Sequence, residues 1–499
     1  MLPFQKTHLY KKFLGEMDKF LKAFKKNKNA TLRDKVEEEV LNLSGNIAKG
    51  LNREDEDEQR SFFNLAGENI YSILALIDIA EKTYDMEKAE AEALTTIIQQ
   101  VRKDLANFRK AQKRIIILSA IYGQGHMSAA KAIKQGLEEL YGYDYHIEIV
   151  DFFGILSAAF NRTGLKFYEG ATKHMPSFYR LFFEGTDTKW QVKLLNLINY
   201  PFSAAKLTKF FKEKNPDLII STFPIWDYIA MQIWKKHKPE AKFISIVTDS
   251  ISIHSVWATA ETDYHIVANE DTAISLKKLG VKNDKIEILG FPVRLDFLEK
   301  TNRESFLSQY GLDPGKYTIL FLPTATNINK TIKTLKELIE EPMDYNLVVV
   351  AGRNTQLKPK LEKFAGHPNL RIFGWTDQLP DFLKSCDLVI TKAGGATVME
   401  CIAAQKPMVL IHIIPGQEMG NAEFIRLHHL GIIPDSINMT IRESISYIRQ
   451  NQSTFLNNLK KVSNPYAALH VAKFIHSVIE NPNQAINVIN SAQDVVKHK

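Results

Sequence analysis

His126 follows Gly123 and Gly125 in the run RIIILSAIYGQGH, residues 114–126. An imidazole in that place can take a proton from a reacting group or donate one to a phosphate. Residues 114–119 form a short Ile-rich run that predicts a buried strand, and the two glycines punctuate a turn. Residues 127–141 then carry Ala129, Ala130, Ile133, Leu137 and Leu140 at helical spacing. A strand, a glycine turn and a helix N-terminus gather backbone N–H groups and the positive end of a helix dipole at one point. The turn lacks the third glycine of the dinucleotide-binding fingerprint, and an ordinary βα turn that carries two glycines is the competing reading.

The same order of parts recurs at 387–401, DLVITKAGGATVMEC: a strand, the Gly394-Gly395 turn and a helix. Its helix N-terminus suits a diphosphate. Glu400 falls in the early turns of that helix, where a carboxylate can accept hydrogen bonds from ribose hydroxyls; the competing reading is an ordinary exposed helix glutamate. A strand predicted at 407–411 leads to Pro415, Gly416, Gln417 and Glu418, with Asn421 just beyond. Amides and carboxylates clustered after a buried strand pair well with sugar hydroxyls.

Positioning these turns takes more than one core, and 499 residues predict two or three domains. Residues 1–112 read as a helical extension. Tyr10, Phe13, Leu14, Met17, Phe20, Leu21 and Phe24 recur at i, i+3, i+4, i+7 with lysines between them. That face fits either a small bundle or a membrane surface. Thr31 is the expected N-cap of a helix through Val36, Val40 and Leu43, the acidic run 54–58 reads as a solvated break, and helical patterns follow at 61–80 and 85–110. From residue 114 strands alternate with helices. Strands are predicted at 114–119, 145–151, 217–222, 242–248, 264–268 and 286–289, then at 317–322, 346–351, 370–373, 387–391 and 407–411. Two such series predict an α/β protein of two Rossmann-like, doubly wound domains facing a cleft, at 113–300 and 301–480, with a tail at 481–499.

Bulk composition is that of a globular protein, 45% hydrophobic and 24% charged. The two cysteines, Cys386 and Cys401, fall in apolar segments and are expected as reduced thiols of a cytosolic protein. No uncharged apolar run reaches the ~18 residues of a bilayer span, and no secretory leader pattern opens the chain, so an integral membrane protein is not expected. The net charge of +7 is uneven: residues 1–29 and residues 152–214 each carry +6. Residues 152–211 also hold 14 aromatics, among them Phe152, Phe153, Phe167, Tyr168, Phe178, Tyr179, Phe182, Phe183 and Trp190. Basic and aromatic side chains interleaved in this way suit an anionic lipid surface, with core packing as the alternative for any single ring. No nucleic-acid motif accompanies them, and none is expected as a partner.

Taken together, the turn at Gly125-His126, the Thr248-Asp249 pair with His254 and Trp257, Gly290-Phe291-Pro292-Val293-Arg294, Gly352-Arg353-Asn354, Lys392-Ala393-Gly394-Gly395 and Pro415-Gly416-Gln417-Glu418 with Asn421 resemble the diacylglycerol glycosyltransferases. That family comprises monogalactosyldiacylglycerol synthases and processive diacylglycerol β-glucosyltransferases; a more distant similarity runs to the transferase that adds N-acetylglucosamine to a peptidoglycan lipid intermediate. The resemblance covers roughly 113–479 and leaves the N-terminal helices out. It implies a GT-B fold, with the acceptor on the first α/β domain and UDP-sugar on the second, and inverting chemistry. It implies Gly123, Gly125, Thr248, His254 and Trp257 at the acceptor, and Gly394, Gly395, Ala396 and Thr397 at the diphosphate. It further implies Glu400 at the ribose, Gln417, Glu418 and Asn421 at the sugar, and Arg353 beside the nucleotide.

Inverting transfer to an alcohol needs a base for the hydroxyl proton and stabilisation of the departing UDP. His126 and Asp249 are the two candidate bases; Asp249 is alternatively the group that orients His126. The only D-x-D, Asp55 and Asp57, lies in the acidic run, so no metal and no cofactor are expected. The loop PTATN, 323–327, departs from the small or glycine-rich residues of the family, and Gly395-Ala396 replaces the commoner Pro-Gly. The expectation is a peripheral enzyme on the cytoplasmic face of an anionic membrane, moving glucose or galactose from UDP to diacylglycerol. The alternatives are transfer to a polyprenyl-diphosphate acceptor and a non-catalytic regulator that binds nucleotide-sugar.

Overall fold

The computed structural model of the chain describes residues 8–25, 27, 29–53, 56–83, 86–111, 113–120, 124–141, 144–151, 154–155, 204–251, 253–323, 328–414 and 418–481. Gly123, Gln417, Thr324, Thr326, Asn327, the turn Pro415-Gly416 and most of the aromatic, basic segment at 152–211 lie outside the described residues.

Four helices open the chain: α1 (His8–Phe24), α2 (Ala30–Leu51), α3 (Glu56–Lys82) and α4 (Lys88–Ala111). Helices of this kind owe their stability mainly to burying one apolar face. Here Phe13, Met17, Phe20 and Phe24 of α1 enter one core with Val36, Leu43 and Ile47 of α2, Ile70 and Ile77 of α3, and Leu94 and Ile98 of α4. Most of the Tyr10–Phe24 stripe is therefore the inside of a bundle, although Leu14 stays exposed, and three lysines of this helix are paired: Lys12 with Asp104, Lys19 with Glu16 and Lys22 with Asp18. Within α3, residues Ser61–Lys82 are long and apolar enough to cross a membrane by length and composition. The side formed by Phe63, Ala66, Ile70, Ile73, Ile77 and Ala80 is nevertheless buried in the bundle. Two local expectations are corrected. Asn29, not Thr31, caps α2, its side chain accepting the Leu32 N–H, because an amide oxygen one residue before the first turn reaches the N3 donor. Residues 56–58 of the acidic run lie in the first turn of α3 instead of in a break.

Twelve strands follow in two sheets. The first has the order β2-β1-β3-β4-β5-β6, from β1 (Lys113–Ser119), β2 (Tyr145–Asp151), β3 (Leu218–Ser221), β4 (Lys242–Ile246), β5 (Tyr264–Val267) and β6 (Ile286–Ile288). The second has the order β12-β11-β10-β7-β8-β9, from β7 (Tyr317–Phe321), β8 (Tyr345–Val350), β9 (Leu370–Phe373), β10 (Leu388–Thr391), β11 (Met408–Leu410) and β12 (Gly431–Ile432). Every described pairing is parallel. Read from β9, the second sheet runs third, second, first, fourth, fifth, sixth in chain order, the Rossmann arrangement. In each sheet the order reverses beside the first strand, between β1 and β3 and between β7 and β10. Such a switch point opens a crevice at the carboxyl ends of the strands. The turns after β1 and β10 are the two glycine turns of the sequence.

Six further helices matter for the site: α5 (Gln124–Tyr141), α6 (Asp227–His237), α7 (Glu270–Lys278), α8 (Gly395–Ala403), α9 (Met419–Leu427) and α10 (Ala467–Glu480). The last returns to the first sheet, where Phe474 meets Tyr264 of β5 edge-on at 5.1 Å. Cys386 and Cys401 are buried free thiols, and burial pushes both above the usual thiol range.

Candidate active site

β1 delivers His126 in the first turn of α5, and the ends of β3 and β4 hold it there. His126 Nδ1 donates to the Thr222 carbonyl at 2.7 Å, with the Thr248 hydroxyl 2.9 Å from the same nitrogen. A carbonyl only accepts, so the network assigns the proton to Nδ1 and leaves the lone pair on Nε2. Among the described residues Nε2 has no hydrogen-bond partner. Phe223 meets the ring edge-on at 4.9 Å, and Thr222 is itself tied to Leu118 and Ser119 of β1. Desolvation lowers the pKa of His126 below the ordinary histidine value, while the Asp249 charge and the Thr222 carbonyl pull it the other way. The ring is thus neutral at pH 7, the state a general base needs.

Asp249, just past the end of β4, accepts the Trp257 indole N–H at 2.7 Å. Trp257 is buried behind it, and His254 is buried too, its Nδ1 taking the Val256 N–H to cap the short turn Ser255–Ala258. These two side chains brace Asp249 and its loop.

Across the crevice, Gly394 caps α8 without a side-chain bond. The first-turn N–H groups of Gly395, Ala396 and Thr397 have no acceptor among the described residues, as expected at a helix start. The starts of α5 and α8 meet. A Cβ on Gly395 would lie 2.9 Å from the Thr248 carbonyl oxygen, and one on Gly125 would lie 3.6 Å from Ala396. Glycine at 395 is therefore required by close backbone approach, not by its own φ.

Glu400 is buried instead of exposed, with Ser128 of α5 donating to Oε1 at 3.4 Å. Burial pushes its carboxyl up to about 7, against the Arg294 charge and the Ser128 hydroxyl, which lower it. Glu418 is buried and already engaged: Lys392 Nζ lies 2.5 Å from Oε1, and the Ile414 N–H reaches Oε2 at 3.0 Å. Asn421 donates to the Ala393 carbonyl, while its buried Oδ1 has no partner among the described residues. Arg353 stands apart from this cluster, at the end of β8, with its guanidinium over the exposed Trp375 ring at 5.2 Å. With Gly352, Asn354, Lys358 and Gly374 they line an open pocket.

The structure brings together His126, Thr248, Asp249, Gly125, Gly395 and Ala396. Sequence reasoning missed the Thr222 carbonyl, which carries no residue-type signal. Lys392 and Arg294 stood inside motifs already singled out, and their positive charge was the clue available.

Two Rossmann-like sheets facing a crevice, with a helix N-terminus at each switch point, define a GT-B architecture. The profile of the monogalactosyldiacylglycerol (MGDG) synthase family matches residues 126–293, and that of the glycosyltransferase family 28 C-terminal domain matches residues 324–476. A processive diacylglycerol β-glucosyltransferase of Bacillus licheniformis is 28% identical over 387 residues, covering 77% of this chain and 98% of its own. A probable chloroplastic monogalactosyldiacylglycerol synthase of rice, Oryza sativa subsp. japonica, is 24% identical over 392 residues, covering 74% and 82%. The crystal structure of UDP-GlcNAc 2-epimerase from Neisseria meningitidis aligns over 74% of this chain and 100% of its own at 13% identity, with a TM-score of 0.48. The chain thus carries an MGDG synthase domain and a glycosyltransferase family 28 C-terminal domain, and over them it is similar to the diacylglycerol glycosyltransferases.

Proposed function

We propose that the protein docks peripherally on the cytoplasmic face of an anionic membrane and transfers a hexose from UDP-glucose or UDP-galactose to diacylglycerol with inversion. The observation that carries this is the held imidazole of His126, its Nε2 without a hydrogen-bond partner among the described residues, facing a second switch point with a helix N-terminus. The acceptor hydroxyl gives its proton to Nε2 as its oxygen bonds to the sugar C1. The C1–oxygen bond to UDP breaks on the opposite face, and the electron pair leaves with the diphosphate. First-turn N–H groups of α8 and the Lys392 ammonium stabilise that charge. Asp249 stabilises the imidazolium that forms, and Trp257 keeps it aimed. Glu400 receives the ribose hydroxyls once Ser128 yields its place, and the unpartnered Asn421 Oδ1 accepts from a sugar hydroxyl. Trp375 beneath Arg353 offers a flat platform for the base.

The test is transfer from labelled UDP-glucose and UDP-galactose to diacylglycerol in anionic vesicles, with EDTA present, beside a polyprenyl-diphosphate acceptor. β-Glycosyl diacylglycerol from either donor is the expected result. Product on the polyprenyl acceptor alone, or on neither, overturns it.

A further inference from the structure

Asp227 opens α6 and is only 2% exposed. Its Oδ1 takes a short hydrogen bond from Ser221 Oγ, and its Oδ2 takes one from Ser245 Oγ at 3.1 Å. Those serines are register partners on the neighbouring strands β3 and β4. One residue after Ser221 comes Thr222, and three after Ser245 comes Thr248; these supply both atoms that meet His126 Nδ1. Ser221 Oγ also takes the Phe223 N–H at 3.3 Å, and Phe223 is the ring packed against His126. Burying a carboxylate is costly, and burial pushes this one up to about 7. The buried positions that follow on α6, Ile229, Ala230, Ile233 and Trp234, are apolar or aromatic. Plain packing of this helix needs no acid.

We propose that Asp227 is a positioning residue for His126: through Ser221 and Ser245 it locks the ends of β3 and β4 together, so that the Thr222 carbonyl and the Thr248 hydroxyl hold the imidazole as the Nδ1–H tautomer. Asp227 touches no substrate in this account. The inference rests on the reading of His126 as the base.

Asp227→Asn keeps the size of the side chain but sets an amide donor against a serine hydroxyl. The expected result is a folded protein whose kcat for glycosyl transfer falls about ten- to a hundredfold, with KM for the UDP-hexose within about twofold. Nitrogen-15 shifts of His126, assigned with His126→Ala, should report one Nδ1–H tautomer in the wild type and a mixture in the variant. A folded Asp227→Asn with wild-type kcat and an unchanged tautomer overturns the proposal. If that variant does not fold, Ser245→Ala decides by the same split: a fall in kcat at constant KM supports the role, and wild-type kcat overturns it. A wild type that makes no glycolipid refutes the functional reading instead, and the tautomer measurement then tests the positioning role alone.

Discussion

The helix starts that follow β1 and β10 are built alike and finished differently. Each follows a buried strand at the switch point of a parallel sheet. The first is filled: His126 is clasped by Thr222 and Thr248 and backed by Phe223. The second is open, its first-turn N–H groups without acceptors among the described residues and Lys392 alongside. In the proposed function one geometry serves two tasks: a side chain held in one tautomer is the base, and bare backbone donors are the seat for a diphosphate.

The comparison can be broken most sharply by emptying the filled turn. His126→Ala should lower kcat about a thousandfold while UDP affinity by calorimetry stays within about twofold, since only the first turn loses its chemistry. A large loss of UDP affinity in that variant would merge the two roles. Gly395→Ala comes next. Its Cβ would sit 2.9 Å from a backbone oxygen, so the crevice must open, and kcat should fall about tenfold. Gly125→Ala meets only ordinary contact at 3.6 Å and should leave turnover nearly unchanged, with a melting temperature equal or slightly higher. Equal losses in the two glycine variants would contradict the asymmetry. Trp375→Ala should raise KM for the UDP-sugar about tenfold with kcat preserved, as loss of a stacking platform does.

The smallest effect is on stability. Asp227 and Glu400 each have a folded pKa of about 7, above their ordinary carboxyl values. The folded state therefore binds more protons than the unfolded one across the interval between, and stability falls as pH rises through it. The melting temperature should drop from pH 5 to pH 8, and Glu400→Gln should flatten part of that slope. A wild-type melting temperature that climbs over the interval would contradict it.

The eleven strands expected from apolar runs are all present; the central ones, such as β3, β8 and β10, are buried throughout and read as near-continuous apolar runs. The expectation at 242–248 overran: β4 stops at Ile246, and this frees Thr248 and Asp249 to bend toward His126. β12 is two residues long and leaves no periodicity to read. Within the site, His126 and the two glycine turns were legible by type and spacing. The Thr222 carbonyl, the burial of Glu400 and the Lys392–Glu418 pair were not, since each depends on which strand ends the sheet order sets side by side. Asp227 is not singled out by the sequence, since its serine partners lie on adjacent strands and become its neighbours only in the fold.

The most direct test of the account is the pH dependence of kcat/KM for glycosyl transfer to diacylglycerol, in the wild type, in His126→Ala and in Asp249→Asn. A base must be deprotonated, so activity is lost as pH falls through its folded pKa. The account predicts an acid limb below 6.5, where desolvation sets His126, that survives in Asp249→Asn and is missing from the residual activity of His126→Ala. A limb in the carboxylate range that persists without His126 and vanishes in Asp249→Asn would make Asp249 the base and contradict it.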